Sequence, residues 1–261
     1  MAMLLLPSLC VYSQSEQLTK MSEHSLMFGG GPANMLDTYI SPYSYTVWGL
    51  RLQFDTHRKL KMMNGTVSRY SLFDLNGAFL KNHNKNVNSY GIGIRYSMAW
   101  LKSINTKSEA FTFSFGPQIS GFFGGLAVFR SGNNPANPQA NIAIDATAHA
   151  DYSFNVKNRK WKVKGQLTVP LIGAAFSLNY GQSHYEMFIL GHYDRNVVFA
   201  HPFNMPSLRY RFTLDIPVGR HESTFRIGYA GQMNQSKFNN LKFHSYTHDF
   251  MIGYSKSIYK K

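Results

Sequence analysis

The ten residues Ser207-Leu208-Arg209-Tyr210-Arg211-Phe212-Thr213-Leu214-Asp215-Ile216 alternate strictly between polar and apolar side chains. Even-numbered positions are apolar or aromatic, and odd-numbered positions are polar or charged. Side chains of a β-strand point to opposite faces at a period of two residues, so only a strand separates the two sets. The stretch therefore predicts a strand with one apolar face and one polar face.

The same alternation recurs along the chain and predicts about ten strands, divided by clusters of Gly, Asn, Pro and Ser. The predicted strands lie near residues 26–34, 45–54, 67–79, 90–100, 111–123, 142–156, 161–171, 207–216, 224–229 and 246–259. No stretch approaches the ~18 apolar residues that a membrane-spanning helix needs. Aromatic residues make up 15% of the chain, and charged residues also make up 15%. That charged fraction is below the ~25% of ordinary soluble domains and suits a β-sheet with one apolar face and one solvated face.

Connectors between the predicted strands alternate between short and long. Residues 102–108, 156–159 and 219–222 form short connectors, whereas 130–139 and 178–206 are long and rich in Asn, Gly and Pro. Outer-membrane barrels have this pattern, with short periplasmic turns and longer outer loops. In lipid a sheet can span only if it closes, because each unpaired amide costs several kcal/mol. We therefore predict an all-β fold, a closed antiparallel transmembrane β-barrel of about ten strands, or twelve if residues 185–203 supply two more.

A soluble β-sandwich or lipocalin-like barrel is the alternative fold, with the apolar face turned inward. Two features favour apolar side chains on the outside: polar faces of mixed charge, as in a narrow lumen, and aromatic residues near strand ends, as in interfacial girdles. The girdle candidates are Tyr45, Trp48, Tyr90, Trp100, Trp161, Tyr254 and Tyr259. A closed barrel has no edge strand, so Pro117, Pro170 and Pro217 should each mark a bulge or a strand end.

The predicted luminal face carries most of the strand charges. Its candidates are Arg51, Arg95, Asp145, His149, Asp151, Arg209, Arg211, Asp215 and Arg226. Such residues either line a small channel or solute site, or pair with one another to fill a narrow interior. Eight-stranded barrels are filled by side chains and sixteen-stranded barrels hold an aqueous channel, so about ten strands favour a filled interior. We predict a narrow channel or a structural or binding protein of the envelope, and not an enzyme.

The N-terminus predicts export. Residues 1–9 are apolar apart from Ser8, and the small residue Ser13 offers a cleavage position. Residues 1–13 therefore resemble a secretory signal, and residues 14–261 form the predicted barrel domain. A lipoprotein signal at Cys10 is disfavoured because Leu9 stands where a small residue is expected. The predicted location is the outer membrane of a Gram-negative cell. The expected partners are the lipid bilayer, lipopolysaccharide and the barrel-assembly machinery, while a small solute or an envelope partner stays open.

The net charge of +14 does not predict nucleic-acid binding. The Lys and Arg residues are spread over turn segments rather than gathered in a stripe, as expected for cationic side chains that reach lipid headgroups. Ten histidines are scattered without the spacing of metal ligands, so we predict no metal and no cofactor. Residues 185–203 hold many apolar side chains within a connector and could form a lid, a partner contact or further strands.

One enzymatic alternative is a membrane-embedded hydrolase with a His/Asp site at the barrel rim. Its candidates are His248 and Asp249, with His244 and Ser245 nearby. Adjacent strand residues point to opposite faces, so His248 and Asp249 could share a site only at a bulge. Sequence spacing also fails to indicate the nucleophile–base–orienter geometry that hydrolysis requires.

Four stretches, LDTYISP (36–42), RSGNNPA (130–136), YGQSHYE (180–186) and MPSLR (205–209), carry a family resemblance. They resemble a domain-of-unknown-function family of exported, predicted outer-membrane β-barrel proteins from Bacteroides-type bacteria. The resemblance implies an exported outer-membrane β protein and supplies no catalytic residues. The C-terminal stretch GYSKSIY (253–259) is similar to the assembly signal of outer-membrane barrels, apart from Lys256 and the two lysines that follow.

Overall fold

The computed structural model describes residues 19–81, 88–104, 108, 110–128, 134–218 and 223–260. The predicted signal, residues 1–13, lies outside this part of the chain. The strands are β1 (Thr19–Asp37), β2 (Ser41–Lys59), β3 (Val67–Lys81), β4 (Asn88–Ile104), β5 (Phe111–Ala127), β6 (Ala136–Val156), β7 (Arg159–Phe176), β8 (Val197–Ala200), β9 (Ser207–Val218), β10 (Ser223–Phe238) and β11 (Leu241–Lys260). One short helix, α1, spans His184–Phe188, and a 3₁₀ turn spans Met62–Gly65. Within the described ranges, no helix has the length and apolar character needed to cross a membrane.

Ten of the strands close into an antiparallel barrel. Strands β1 to β7 pair in chain order, β7 pairs with β9, and β9, β10 and β11 follow until β11 pairs with β1. The short strand β8 pairs only with the last four residues of β7. This topology confirms the predicted closed antiparallel barrel. The connector that was expected to form a lid or further strands contains α1 and β8.

The two ends of the barrel differ in their connections. The first and last described strand residues, Thr19 and Lys260, lie together at what we call the terminal end. The connectors at the opposite end, the loop end, include the longest one, residues 177–206. Two loop-end turns are nevertheless tight, residues 38–40 and Asn239-Asn240. Both asparagines have positive φ, 50° and 62°, which gives the primed turn that matches strand twist.

Apolar side chains face outward, as predicted from the mixed polar faces and the aromatic residues near strand ends. On β9, Phe212 is 50% exposed, whereas the neighbouring Arg211 is only 5% exposed because it points into the barrel. On β1, outward-facing apolar residues lie between the polar positions His24 and Asn34. Those ten residues of strand rise about 33 Å. At a tilt of about 40° they cover about 25 Å of the barrel axis, the height of the apolar band of outer-membrane barrels.

The three prolines that were expected to mark a bulge or a strand end, Pro117, Pro170 and Pro217, lie at irregular positions of the sheet or at a strand end. The β6–β7 register shifts between Ile144 and Asp145, and Asp145 is paired with Pro170. Pro117 lies where the β4–β5 pairing is interrupted. Pro217 is the second-last residue of β9. Each of these positions tolerates the missing backbone N–H of proline, so a closed sheet can contain these three residues.

The predicted aromatic girdle is correct for Trp48, Tyr90 and Tyr254, which are exposed on the outer face. It is wrong for Tyr45, which is 3% exposed and packs inside the loop end of the barrel. Tyr45 lies six residues before Arg51 on β2 and therefore shares its inward-facing side. Tyr259 occupies an inward-facing position of β11 by the same alternation of side chains. Aromatic rings suit either face, so residue type alone does not decide the orientation.

Candidate functional site

The lumen is the candidate functional site, because the charged strand residues converge there. All nine candidates from the sequence occupy inward-facing positions: Arg51, Arg95, Asp145, His149, Asp151, Arg209, Arg211, Asp215 and Arg226. Their role stays a prediction. Most of them belong to two groups of interacting charges, which we call the lower and the upper cluster.

The lower cluster lies toward the terminal end and consists of Glu23, Asp55, Lys164, Arg211, Asp215 and Arg226. Arg226 is its centre. Its Nε and Nη2 donate to the two carboxylate oxygens of Asp215 at 2.5 and 2.9 Å. Nη2 also donates to Glu23 Oε1 at 2.6 Å, and Nη1 donates to Ser25 Oγ at 2.8 Å. Bidentate charge-assisted pairs of this kind are the strongest hydrogen bonds of a protein interior.

The other two cations complete the lower cluster. Lys164 Nζ contacts Glu23 and lies 3.0 Å from Asp215 Oδ2. Arg211 Nη1 donates to Asp55 Oδ2 at 2.9 Å, and its Nη2 donates to the Tyr70 hydroxyl at 2.6 Å. Three carboxylates therefore face three cations. The cluster is neutral as a whole, which allows it to stay buried.

The upper cluster consists of Arg51, Asp74, Arg95, Asp145, Arg209 and Asp249. Arg51 lies 3.4 Å from Asp74 Oδ1 and 3.1 Å from Asp249 Oδ2, and it donates to Thr247 Oγ1 at 3.0 Å. Arg209 is paired with Asp145. Three carboxylates again match three cations, so this cluster is also neutral.

Five of these twelve residues were not among the luminal candidates: Glu23, Asp55, Asp74, Lys164 and Asp249, the last of which was named only for the hydrolase site. The alternation of side chains along the strands could have identified some of them as luminal. Asp55 lies four residues after Arg51 on the same side of β2, and Lys164 lies on the polar side of β7.

The clusters leave little open space in the middle of the barrel. A cavity between them, bounded by Arg51, Tyr70 and Arg211, has a volume of about 50 Å³. A second cavity, beneath the loop end and bounded by Asp37 and Asn137, also measures about 50 Å³. A vestibule of about 410 Å³ opens at the terminal end. The lumen is therefore wide at one mouth and filled beyond it.

Residues 177–206, which we call the lid, pack across the loop end. Met187 of α1 is 1% exposed and packs against Leu178 and Leu241. A capping box starts the helix, because Ser183 and Glu186 exchange hydrogen bonds. These bonds from Ser183 hold the pKa of the Glu186 carboxyl below its usual range.

Hydrogen bonds tie the lid to three other connectors. The Tyr39 hydroxyl donates to the Gln182 carbonyl at 2.8 Å, and the His184 N–H donates to Asn134 Oδ1 at 3.2 Å. Asn239 Nδ2 donates to the Arg195 carbonyl at 3.0 Å. The lid thus bridges the loop-end connectors before β2, before β6 and before β11.

Asp37 lies above the apolar band, at the loop end of β1. It is buried, and Asn137 Nδ2 donates to both of its carboxylate oxygens at 2.9 and 2.8 Å. Burial raises the pKa of the Asp37 carboxyl from 3.8 to about 6, although the bonds from Asn137 and from the Tyr39 N–H oppose the rise. Asp37 is therefore a loop-end group that titrates near neutral pH.

His248 and Asp249, the candidates for a hydrolase site, do not converge. Asp249 points inward to Arg51. The ring of His248 lies on the outer face, where its Nδ1 is 2.8 Å from the Tyr210 hydroxyl and 2.9 Å from the Tyr229 hydroxyl. In the part of the chain that the structure covers, no group of three His, Cys, Asp or Glu side chains could hold a metal ion.

Solved structures with a similar fold are outer-membrane proteins. The outer membrane protease OmpT from Escherichia coli is 7% identical with a TM-score of 0.50, over 94% of this chain and 99% of that chain. The transport unit of the autotransporter AIDA-I from Escherichia coli is 8% identical with a TM-score of 0.48, over 97% and 94%. The translocator domain of the autotransporter NalP from Neisseria meningitidis is 8% identical with a TM-score of 0.43, over 94% and 90%. At 7% identity, the likeness to OmpT shows a shared fold and no more.

A family match covers the whole sequence. No curated protein matches the chain. Residues 1–261 match the family described as "Protein of unknown function (DUF3316)", which agrees with the predicted resemblance to a family of undefined function, while the Bacteroides-type origin stays a prediction. With an outer-membrane-type barrel fold and a match over its full length, the chain belongs to the DUF3316 family.

Proposed function

We propose that this chain is a non-enzymatic outer-membrane barrel with a structural or binding role in the Gram-negative envelope, and that its lumen does not conduct solutes. The observation that carries the proposal is the filled lumen, in which two neutral charge clusters are accompanied by inner cavities of only about 50 Å³ each. Of the two roles predicted from the sequence, the channel is therefore the less favoured.

Opening such a lumen is costly. Removing one partner of a buried ion pair costs about 3–5 kcal/mol, because the other charge is left uncompensated. Arg226 binds Asp215, Glu23 and Ser25 at once, and Lys164 also contacts Asp215 and Glu23. Separating these groups without a new partner is too unfavourable for frequent thermal opening.

The outer surface supports placement in the outer membrane. Its apolar band is about 25 Å high, which fits a transmembrane barrel. Exposed cations such as Arg58 and Lys256 lie near the terminal end, where their charged groups can reach phosphates of the lipid headgroups. We propose the bilayer and lipopolysaccharide as its surroundings and the barrel-assembly machinery as its partner during biogenesis. Membrane fractionation and heat-modifiable gel migration test this location.

The lid supports a binding role at the loop end. Beyond its anchored residue Met187, it exposes large apolar side chains, among them Tyr185, Phe188 and Phe203. Apolar patches that remain exposed outside the lipid-facing band usually mark interaction sites. The structural role needs only the barrel, whereas a binding role would use this surface.

Planar-bilayer recording of the refolded protein tests the proposal. We expect no discrete current steps from the unaltered barrel. A charge-balanced variant, Arg211→Ala with Asp55→Ala, removes the ion pairs of Asp55 with Arg211 and with Arg226 and should produce small steps, which shows that the assay detects an opened lumen. Regular steps from the unaltered protein, similar to those of the variant, would refute the sealed lumen.

A further inference from the structure

Arg95 differs from the other five members of the upper cluster. It is only 7% exposed, yet its guanidinium forms no hydrogen bond or salt bridge with any residue in the described ranges. A guanidinium stays charged at all physiological pH values and carries five N–H donors. Burying such a group without an acceptor costs several kcal/mol, so its surroundings should supply one.

A stacked ring fixes the position of this guanidinium. The centre of the Arg95 guanidinium lies 4.7 Å from the centroid of the Phe122 ring. The ring fits because Gly93 and Gly124 flank it, and a Cβ atom at either glycine would lie 2.9 or 2.8 Å from a ring carbon. Stacking occupies one face of the guanidinium, but it leaves the N–H groups in its plane without acceptors.

The nearby carboxylates have other partners. Asp74 is paired with Arg51, and Asp145 is paired with Arg209 and accepts from Gln118 Nε2 at 2.9 Å, although Asp74 Oδ1 and Asp145 Oδ1 accept no hydrogen bond. Arg95 and Arg209 border both inner cavities, whereas Asp37 borders only one of them and Asp74 only the other. The upper cluster is neutral as a whole, but Arg51 has two carboxylate partners, and Arg95 has none at hydrogen-bond distance among the described residues.

We infer that Arg95 is the centre of a binding site for a small inorganic anion of the chloride type, within the inner cavities of the barrel. Each cavity measures about 50 Å³, whereas about 10–15 Å³ suffices for one water-sized particle. A halide and a few waters fit this space, and a sugar acid does not. The competing occupant is water alone, bridging Arg95 to Asp145 Oδ1, which has no donor. The site does not depend on whether the barrel conducts.

The test compares urea unfolding of the refolded barrel in sodium chloride and in sodium gluconate at equal ionic strength. Binding to the folded state alone lowers the unfolding constant about tenfold when chloride is at about ten times its dissociation constant. Arg95→Gln keeps a polar side chain but removes the charge, so it should abolish the chloride effect. Arg58→Gln removes an exposed charge at the terminal end and should keep it.

Two results would overturn the inference: no difference between the salts for the unaltered protein, or an equal chloride effect in Arg95→Gln. If Arg95→Gln does not fold, crystals of the unaltered protein grown in sodium bromide give an independent answer. An anomalous bromide peak beside the Arg95 guanidinium supports the site. Ordered water there without an anomalous signal shows that water is the occupant and refutes it.

Discussion

Replacing Arg226 by Met removes the centre of the lower cluster while keeping a side chain of similar length. The substitution leaves Glu23 and Asp215 to share Lys164, and it deprives Ser25 of its donor. Truncating one partner of a buried, hydrogen-bonded ion pair costs about 3–5 kcal/mol. We expect Arg226→Met to lower the free energy of unfolding by that amount.

A second substitution tests the origin of this loss. Arg226→Met combined with Asp215→Leu leaves Glu23 with Lys164 and Asp55 with Arg211, so the cluster is again neutral. Replacing both partners of a buried pair by apolar residues is often neutral or stabilising. The double variant should therefore be more stable than Arg226→Met alone.

The assay is urea unfolding in detergent micelles, followed by tryptophan fluorescence and checked by refolding. Arg58→Met is the matched control, because it removes an exposed arginine and should change the unfolding free energy by less than about 0.5 kcal/mol. A loss below about 1 kcal/mol in Arg226→Met, or a double variant that is less stable than the single one, would refute the reasoning.

Two further predictions concern the loop end. The pKa of Asp37 is raised from 3.8 to about 6, so the folded state favours the protonated acid. The free energy of unfolding should therefore fall by about 3 kcal/mol in total as the pH rises from about 4 to above 6. Urea unfolding as a function of pH should show this decline and Asp37→Asn should flatten it; an unchanged pH profile would contradict the assignment. Met187→Ala leaves a cavity beside Leu178 and Leu241 and should weaken lid packing by about 2–5 kcal/mol. Limited proteolysis should then cut within residues 177–206 while the barrel stays heat-modifiable, and cleavage no faster than in the unaltered protein would count against the lid anchor.

Strand alternation made the wall of the barrel predictable. The alternation of β9 put Arg211 and Asp215 on one polar face, and the alternation of β10 put Arg226 on the polar face of that strand. A one-residue shift would move every charge to the opposite face, so each register is strongly specified. At Tyr45 the alternation indicated the inner face, but the residue was assigned to the outer girdle because it is an aromatic residue near a strand end, and that assignment was wrong.

The partners of each charge could not be predicted from local pattern. Glu23 and Arg226 are 203 residues apart in sequence and meet only because the barrel closes through β11. The closing register depends on the sum of all ten strand pairings, which no single segment specifies. A lid was one of several readings of residues 185–203, and the sequence could not decide among them, because the lid is held by bonds to Tyr39, Asn134 and Asn239 in three other connectors.

The orientation of the wall is the central claim, and two positions at one depth test it. Gln166 and Phe212 lie on paired strands, opposite Arg211 and Gly165, with Gln166 facing the vestibule and Phe212 facing outward. Single tryptophans are placed at 166 or 212 after Trp48, Trp100 and Trp161 have been replaced by Phe, and the protein is refolded in bilayers of acyl-brominated lipid. We predict strong quenching of the tryptophan at 212 and little at 166. Equal quenching, or stronger quenching at 166, would contradict an apolar face turned toward lipid.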